Sequence, residues 1–152
     1  MTSRSHPDAD ADPIPVTRPL LHPVALGPDE GLSLLDIVTA GRLIHDETGL
    51  PTVRVLRHCR DFGYLVVRVQ LPVPPAVFTC PGRLTYQTEW VDPQDHTGWT
   101  VTVSGPAQRI TNGYQQARYR LMLHAGPQNS YEHLLRIRPD NVTGYRLTRA
   151  PA

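Results

Sequence analysis

From about residue 50 onward, apolar side chains recur mostly at every second position. Thr52 to His58 carries Val53 and Val55 on one face, and Tyr64 to Gln70 alternates Leu65, Val67 and Val69 with Tyr64, Val66 and Arg68. That is the period of a half-buried strand. Arg60-Asp61-Phe62-Gly63 between the two runs reads as a hairpin turn, which predicts antiparallel pairing. Leu84 to Val91 resumes the alternation, and Asp92-Pro93-Gln94-Asp95 turns the chain. Trp99 to Thr111 forms the longest strand, interrupted by Gly105 and Pro106. Two more strands, Glu132 to Arg138 and Val142 to Thr148, are joined by Pro139-Asp140-Asn141.

Elsewhere the period changes. Pro28-Asp29-Glu30 starts a helix, and Leu32, Leu35 and Val38 recur at helical spacing until Gly41, about three turns in all. Arg42 to His45 is a short apolar run, followed by a turn from Asp46 to Pro51 around Gly49. Asn112 with Gln115 resembles a capping box, and Tyr114, Ala117 and Leu121 fall on one stripe of the helix it opens. Residues 1 to 25 hold five of the sixteen prolines, with Asp8, Asp10 and Asp12 between them, and are expected to be a flexible tail before a single domain over 26–152. "LPVPPAVFTCPG" has four prolines in twelve residues, so it is a connection rather than a central strand. Six or seven antiparallel strands with one early and one late helix predict a mainly β fold, a small barrel with peripheral helices.

Composition narrows the chemistry. All fifteen basic residues are Arg, so there is no lysine for a Schiff base or a phosphate clamp. Residues 1–50 carry three Arg against eight acids and residues 51–152 twelve Arg against six, giving a net charge of +1. That asymmetry is too mild and dispersed for a nucleic-acid surface. Cys59 and Cys80 lack metal-ligand spacing, and the seven histidines include no pair at such spacing, so no metal site is expected. No apolar run spans a bilayer and the N-terminus lacks a signal-peptide core, so the expectation is a cytoplasmic protein with no membrane partner. No G-x-S-x-G or glycine-rich phosphate loop occurs.

Arg54 and Arg68 stand inside predicted strands, where a long cation either escapes to water or meets an anion. They face outward or they share a ligand anion. Trp90 reads as core, whereas Trp99, beside Gly98, either caps the barrel or lies against a planar ligand.

"LLDIVTAGRL", "GLPTVRVLRHCRDFGYLVVRVQ", "VDPQDHTGWTVTVSGPAQRIT" and "LLRIRPDNVTGYRL", in that order across residues 28 to 148, resemble the pyridoxamine 5'-phosphate oxidase-like family of flavin-binding split barrels. The resemblance implies a six-stranded antiparallel split β-barrel that forms a two-fold homodimer. Each interface cleft would hold FMN for an oxidoreductase acting on a small molecule. By position, Arg54, Val55, Leu56, Arg57 and His58 would run beside the isoalloxazine ring. Arg68, Val69 and Gln70 would approach the phosphate, and Trp99 and Thr100 would close the cleft from the partner subunit. The family commonly places a hydroxyl residue after its third strand and a lysine at the end of the next loop. Here Val69 stands for the hydroxyl residue, and the loop is the proline-rich Leu71 to Pro81. A deazaflavin, a haem with His58 as axial ligand, or no cofactor are the alternatives. The last would make the chain a flavin-free split-barrel dimer that serves as a small-molecule binding module or a cofactor-independent enzyme.

Overall fold

The computed structural model describes residues 20–47, 50–71, 82–124 and 131–149. The elements run β1 (Leu21–Ala25), α1 (Pro28–Leu34), β2 (Ala40–Glu47), β3 (Leu50–Asp61), β4 (Tyr64–Leu71), β5 (Arg83–Val91), β6 (Gly98–Arg109), α2 (Gly113–Met122), β7 (Tyr131–Ile137) and β8 (Asn141–Arg149). Neighbouring strands follow the order β1-β8-β6-β5-β2-β3-β4-β7, and β7 also pairs with β6. That second pairing closes β6, β5, β2, β3, β4 and β7 into a six-stranded antiparallel barrel, with β8 and β1 extending outward from β6.

Closure depends on β6. Its first half pairs with β8, from Gly98↔Leu147 to Ser104↔Asn141, and its last residues pair with β7, from Ala107↔Ile137 to Arg109↔Leu135. Gly105 and Pro106 mark the change of partner. A Cβ on Gly105 would lie 1.7 Å from the Arg138 carbonyl oxygen, so only glycine lets the two backbones cross there. The dipeptide that interrupts the alternation is the corner of the barrel.

Inside, Leu43, Leu65, Val67, Val101, Leu135 and Ile137 are essentially inaccessible and form the core with Tyr86 and Trp99. Leu34 and Leu35 of the α1 segment belong to the same cluster. Outside, Tyr119 and Leu123 seat α2 on Val66, Ile110 and Leu134. The Asn112 side chain accepts from the Gln115 backbone N–H at 3.1 Å, so the expected N-cap forms. Phe62 and Gly63 both have positive φ, +48° and +78°, as the two-residue turn of a tight hairpin requires.

Four expectations change. α1 has seven residues rather than three turns. Its terminal carbonyls are taken by β3 side chains, with Arg60 Nη1 donating to Leu32 O at 2.6 Å and His58 Nε2 to Leu35 O at 2.8 Å. The segment expected to be a tail to residue 25 ends in β1, which pairs with β8 from Leu21↔Arg149 to Ala25↔Tyr145. Pro23 is tolerated because β1 lies at the sheet edge. The Tyr114, Ala117, Leu121 stripe faces solvent, with Tyr114 and Leu121 about 80% exposed, because Tyr119 and Leu123 supply the docking face. Trp90, expected in the core, is 49% exposed at the barrel rim, and its cross-strand partner Trp99, left open between barrel cap and ligand wall, is 5% exposed in the core. Residues 1–19 and the loop at 72–81 lie outside the described residues. Among the described residues, no helix is long and apolar enough to cross a membrane.

Candidate functional site

The β3–β4 hairpin is a closed ladder for only part of its length. Register partners run from Asp61↔Tyr64 to His58↔Val67 and stop there. Beyond that point β3 pairs with β2, from Arg57↔Ala40 outward, and β4 pairs with β7 from Leu65↔Ile137 to Leu71↔Tyr131. The two strands therefore part at Arg57 and Arg68, and this opening is the split in the barrel. Seven of the sequence-predicted site residues flank it on these two strands: Arg54, Val55, Leu56, Arg57, Arg68, Val69 and Gln70.

Strand alternation sorts these residues into two faces. Arg54 and Leu56 share the inner face with buried His58, and Val69 is buried in the core. Val55 and Arg57 are exposed on the outer face of β3, with Val53 beside them at 58% and Val55 at 74% exposure. Arg68 and Gln70 lie on the outer face of β4. Arg54 and Arg68 thus point to opposite sides of the wall and do not share one anion. The two arginines that flank the split on a single face are Arg57 and Arg68. An apolar strip with guanidinium groups at its border suits a planar apolar ring carrying an anionic group, which is the chemistry of a flavin.

Arg68 is already engaged. Its Nε donates to Glu132 Oε2 at 2.9 Å, and Arg120 Nε donates to Glu132 Oε1 at 2.7 Å. The Glu132 side chain is 3% exposed and that of Arg68 13%. Two guanidinium groups on one buried carboxylate leave the cluster one positive charge. A cavity of about 200 Å³ opens beside it, lined by Arg109, Ile110, Thr111, Gln116, His133 and Leu134 as well as Glu132. Glu132 was not singled out from the sequence; its signal was that it is the lone acid of its strand.

His58 is placed by the core. Its Nε2 faces the Leu35 carbonyl and its Nδ1 the Tyr86 hydroxyl, at 2.8 and 2.5 Å. A carbonyl only accepts, so Nε2 carries the proton and Nδ1 accepts from Tyr86. Burial lowers the His58 pKa, partly opposed by the Leu35 bond and by Asp36, and burial raises that of Tyr86. With both ring nitrogens committed and the side chain 6% exposed, His58 does not serve as a haem ligand in this arrangement. Gly41 backs the pair, since a Cβ there would come within 2.5 Å of the Tyr86 ring tip. Tyr86 is a second partner the sequence did not announce.

Trp99 and Thr100 sit on β6, which β5 and β2 separate from β3. Trp99 is buried on the inner side of the wall, whereas Arg57 and Arg68 lie on the outer face. Within one chain, therefore, Trp99 does not join Arg57 and Arg68 on that face. The Cys59 thiol is pushed up to about 11 by burial and by Asp61, so it is protonated at neutral pH and a poor nucleophile. Among the described residues, no three His, Cys, Asp or Glu side chains gather as a metal site.

No protein-family model matches the chain. It is 30% identical over 129 residues to the uncharacterised protein Rv0080 of Mycobacterium tuberculosis, covering 82% of this chain and 85% of that one. Among solved structures, an FAD-binding protein from Mycobacterium smegmatis aligns with a TM-score of 0.66 at 19% identity, over 84% of this chain and 100% of its own. A candidate pyridoxamine 5'-phosphate oxidase from Corynebacterium glutamicum aligns at 0.64 and 19%, over 85% and 96%. An FAD- and haem-binding protein from M. smegmatis aligns at 0.61 and 16%, over 84% and 75%.

Proposed function

Because the chain belongs to one family with Rv0080 and has the split-barrel fold of the pyridoxamine 5'-phosphate oxidase-like proteins, we propose that it binds a flavin along the outer face of the split. On this reading it is a flavin-dependent oxidoreductase, with FMN as the first cofactor to test and a small molecule as substrate. The observation that carries the proposal is the end of the β3–β4 ladder at His58↔Val67, which leaves Arg57 and Arg68 facing one opening beside exposed Val53 and Val55. The flavin-binding proteins among the structural neighbours support the same chemistry.

A bound flavin supplies the electron-transfer chemistry, and the chain supplies position and charge. Val53 and Val55 offer the ring an apolar wall. Arg57 contributes an exposed guanidinium, and the Arg68–Glu132–Arg120 cluster adds a positive charge held in place by two ion pairs. We further propose a homodimer in which a second copy covers the open strip and brings Thr100 to the cleft. The same reading puts the protein in the cytoplasm.

The experiment is a titration of the purified chain with FMN, FAD and a deazaflavin, followed by flavin fluorescence and visible absorbance. One flavin bound per chain, weakened at least tenfold by Arg57→Ala, is the expected result. One observation favours a second reading, a flavin-free small-molecule binding module: the Glu132 carboxylate already occupies Arg68. Unchanged fluorescence for all three flavins would overturn the first reading and leave the second.

A further inference from the structure

A second cationic cavity lies away from the split. It measures about 100 Å³ and is lined by Tyr64, Pro106, Gln108, Arg136 and Arg138, from the start of β4, the corner of β6 and the end of β7. Tyr64 pairs with Asp61 beside the hairpin turn, four residues before Arg68. At about 3.3 Å per residue, that places it roughly 13 Å along the strand from the split.

The lining is positively charged and preorganised. Arg136 is held on one edge by Gln108, whose Oε1 accepts from Nε at 3.1 Å and from Nη2 at 2.9 Å. One face of its guanidinium lies over the Tyr64 ring, 4.9 Å from the centroid. These contacts fix the plane and leave Nη1 without a partner among the described residues. Arg138 is anchored by its backbone N–H, which donates to Pro106 O at 3.0 Å, and its side chain is exposed. No acid lines the cavity. The acid nearest in sequence, Asp140, is gripped by Arg83 in a fork with contacts of 2.8 and 2.7 Å. Two guanidinium groups facing one small cavity, one of them locked in orientation, match the fork geometry that binds tetrahedral oxyanions.

We propose that this cavity binds a small tetrahedral oxyanion, either inorganic phosphate or the phosphoryl group of a larger molecule, between Arg136 and Arg138. The site is independent of the flavin reading, since it shares no residue with the split. Loss of one charge-assisted contact weakens such a ligand about tenfold or more.

The test is calorimetric titration of the full chain with inorganic phosphate, and separately with glycerol phosphate, at ionic strength held constant with chloride. Wild type should bind, and both Arg136→Gln and Arg138→Gln should weaken binding at least tenfold. Arg136→Gln also removes the Tyr64 contact, so Arg138→Gln, at an exposed side chain, is the variant that keeps its fold; its melting temperature in phosphate-free buffer should match wild type. Tighter binding of phosphate identifies the free anion, and tighter binding of the ester identifies a phosphorylated molecule; each supports the site. No heat beyond the chloride control overturns the proposal. So does binding that Arg138→Gln leaves intact while Arg57→Ala removes it, because the anion would then sit at the split.

Discussion

Tyr86 donates its hydroxyl hydrogen to Nδ1 of His58 on the inner face of the barrel, and the direction of that bond is set by the other ring nitrogen, which donates to Leu35 O. The pair therefore needs a neutral imidazole. The unfolded chain takes up a proton on this side chain near 6.5, whereas burial lowers the pKa in the folded state. The folded protein thus binds fewer protons below that pH, and the stability from this residue is complete above pH 6.5 and is lost as pH falls toward the lowered folded value. Urea midpoints measured at pH 7.5, 6.5 and 5.5 should fall with pH in wild type and fall less in His58→Gln. A constant difference between the two proteins across that range would remove the argument.

Gly41 is tied to the same pair. A Cβ at this position would lie 2.5 Å from Tyr86 Cζ and Oη and 2.7 Å from the Gln87 carbonyl oxygen. The ring tip is held by His58, and the carbonyl belongs to β5, which pairs with β2 through Arg42↔Gln87. Neither yields easily, so Gly41→Ala should destabilise the protein by about 1–3 kcal/mol. Gly27→Ala, with nothing within 4 Å of the added methyl, is the control. Equal urea midpoints for the two variants would contradict the packing described.

Much of this barrel was legible as alternation. The β3–β4 hairpin, β5, β6, β7 and β8 fall where every second residue is apolar. The phase was harder to read, because period 2 does not say which face is inside. On β3 the inner column is Arg54, Leu56 and His58, while the more regular pair Val53 and Val55 is outside. The α2 stripe misled for a similar reason, since Tyr119 and Leu123 dock the helix although Tyr114 and Leu121 make the more regular pattern. Partners distant in sequence were invisible: Glu132 reaches Arg68 across 64 positions and Tyr86 reaches His58 across 28. A lone strand acid or tyrosine carries no sign of the side chain it will meet. The Leu71 to Pro81 loop, where the family resemblance departs most, falls almost wholly outside the described residues.

Trp90 and Trp99 face each other across β5 and β6 yet differ in exposure, 49% against 5%. These are the chain's two tryptophans, so each can be read alone. Trp99→Phe leaves only the rim indole, which should emit at longer wavelength and be quenched strongly by acrylamide. Trp90→Phe leaves the core indole, with blue-shifted emission that resists quenching. Trp99→Ala should also destabilise the fold by about 3–5 kcal/mol. Matching spectra from the two Phe variants would place both indoles in the same environment and refute the difference in burial.

Glu132 separates the two functional readings. Its carboxylate holds both Arg68 and Arg120 from a position that is 3% exposed. Glu132→Gln keeps an acceptor but removes the charge, so stability should fall by about 3 kcal/mol, as when a buried ion pair loses one partner. If Arg68 serves a flavin phosphate, the same change frees its charge and should tighten FMN binding about tenfold, the worth of one charge-assisted contact. Stability and affinity would then move in opposite directions, which general loosening of the barrel does not produce. Urea unfolding and FMN fluorescence titration on one preparation measure both. If Glu132→Gln is less stable and binds FMN no better than wild type, Arg68 ties β4 to β7 through Glu132, as Arg120 ties α2 to it, and takes no part in the phosphate site.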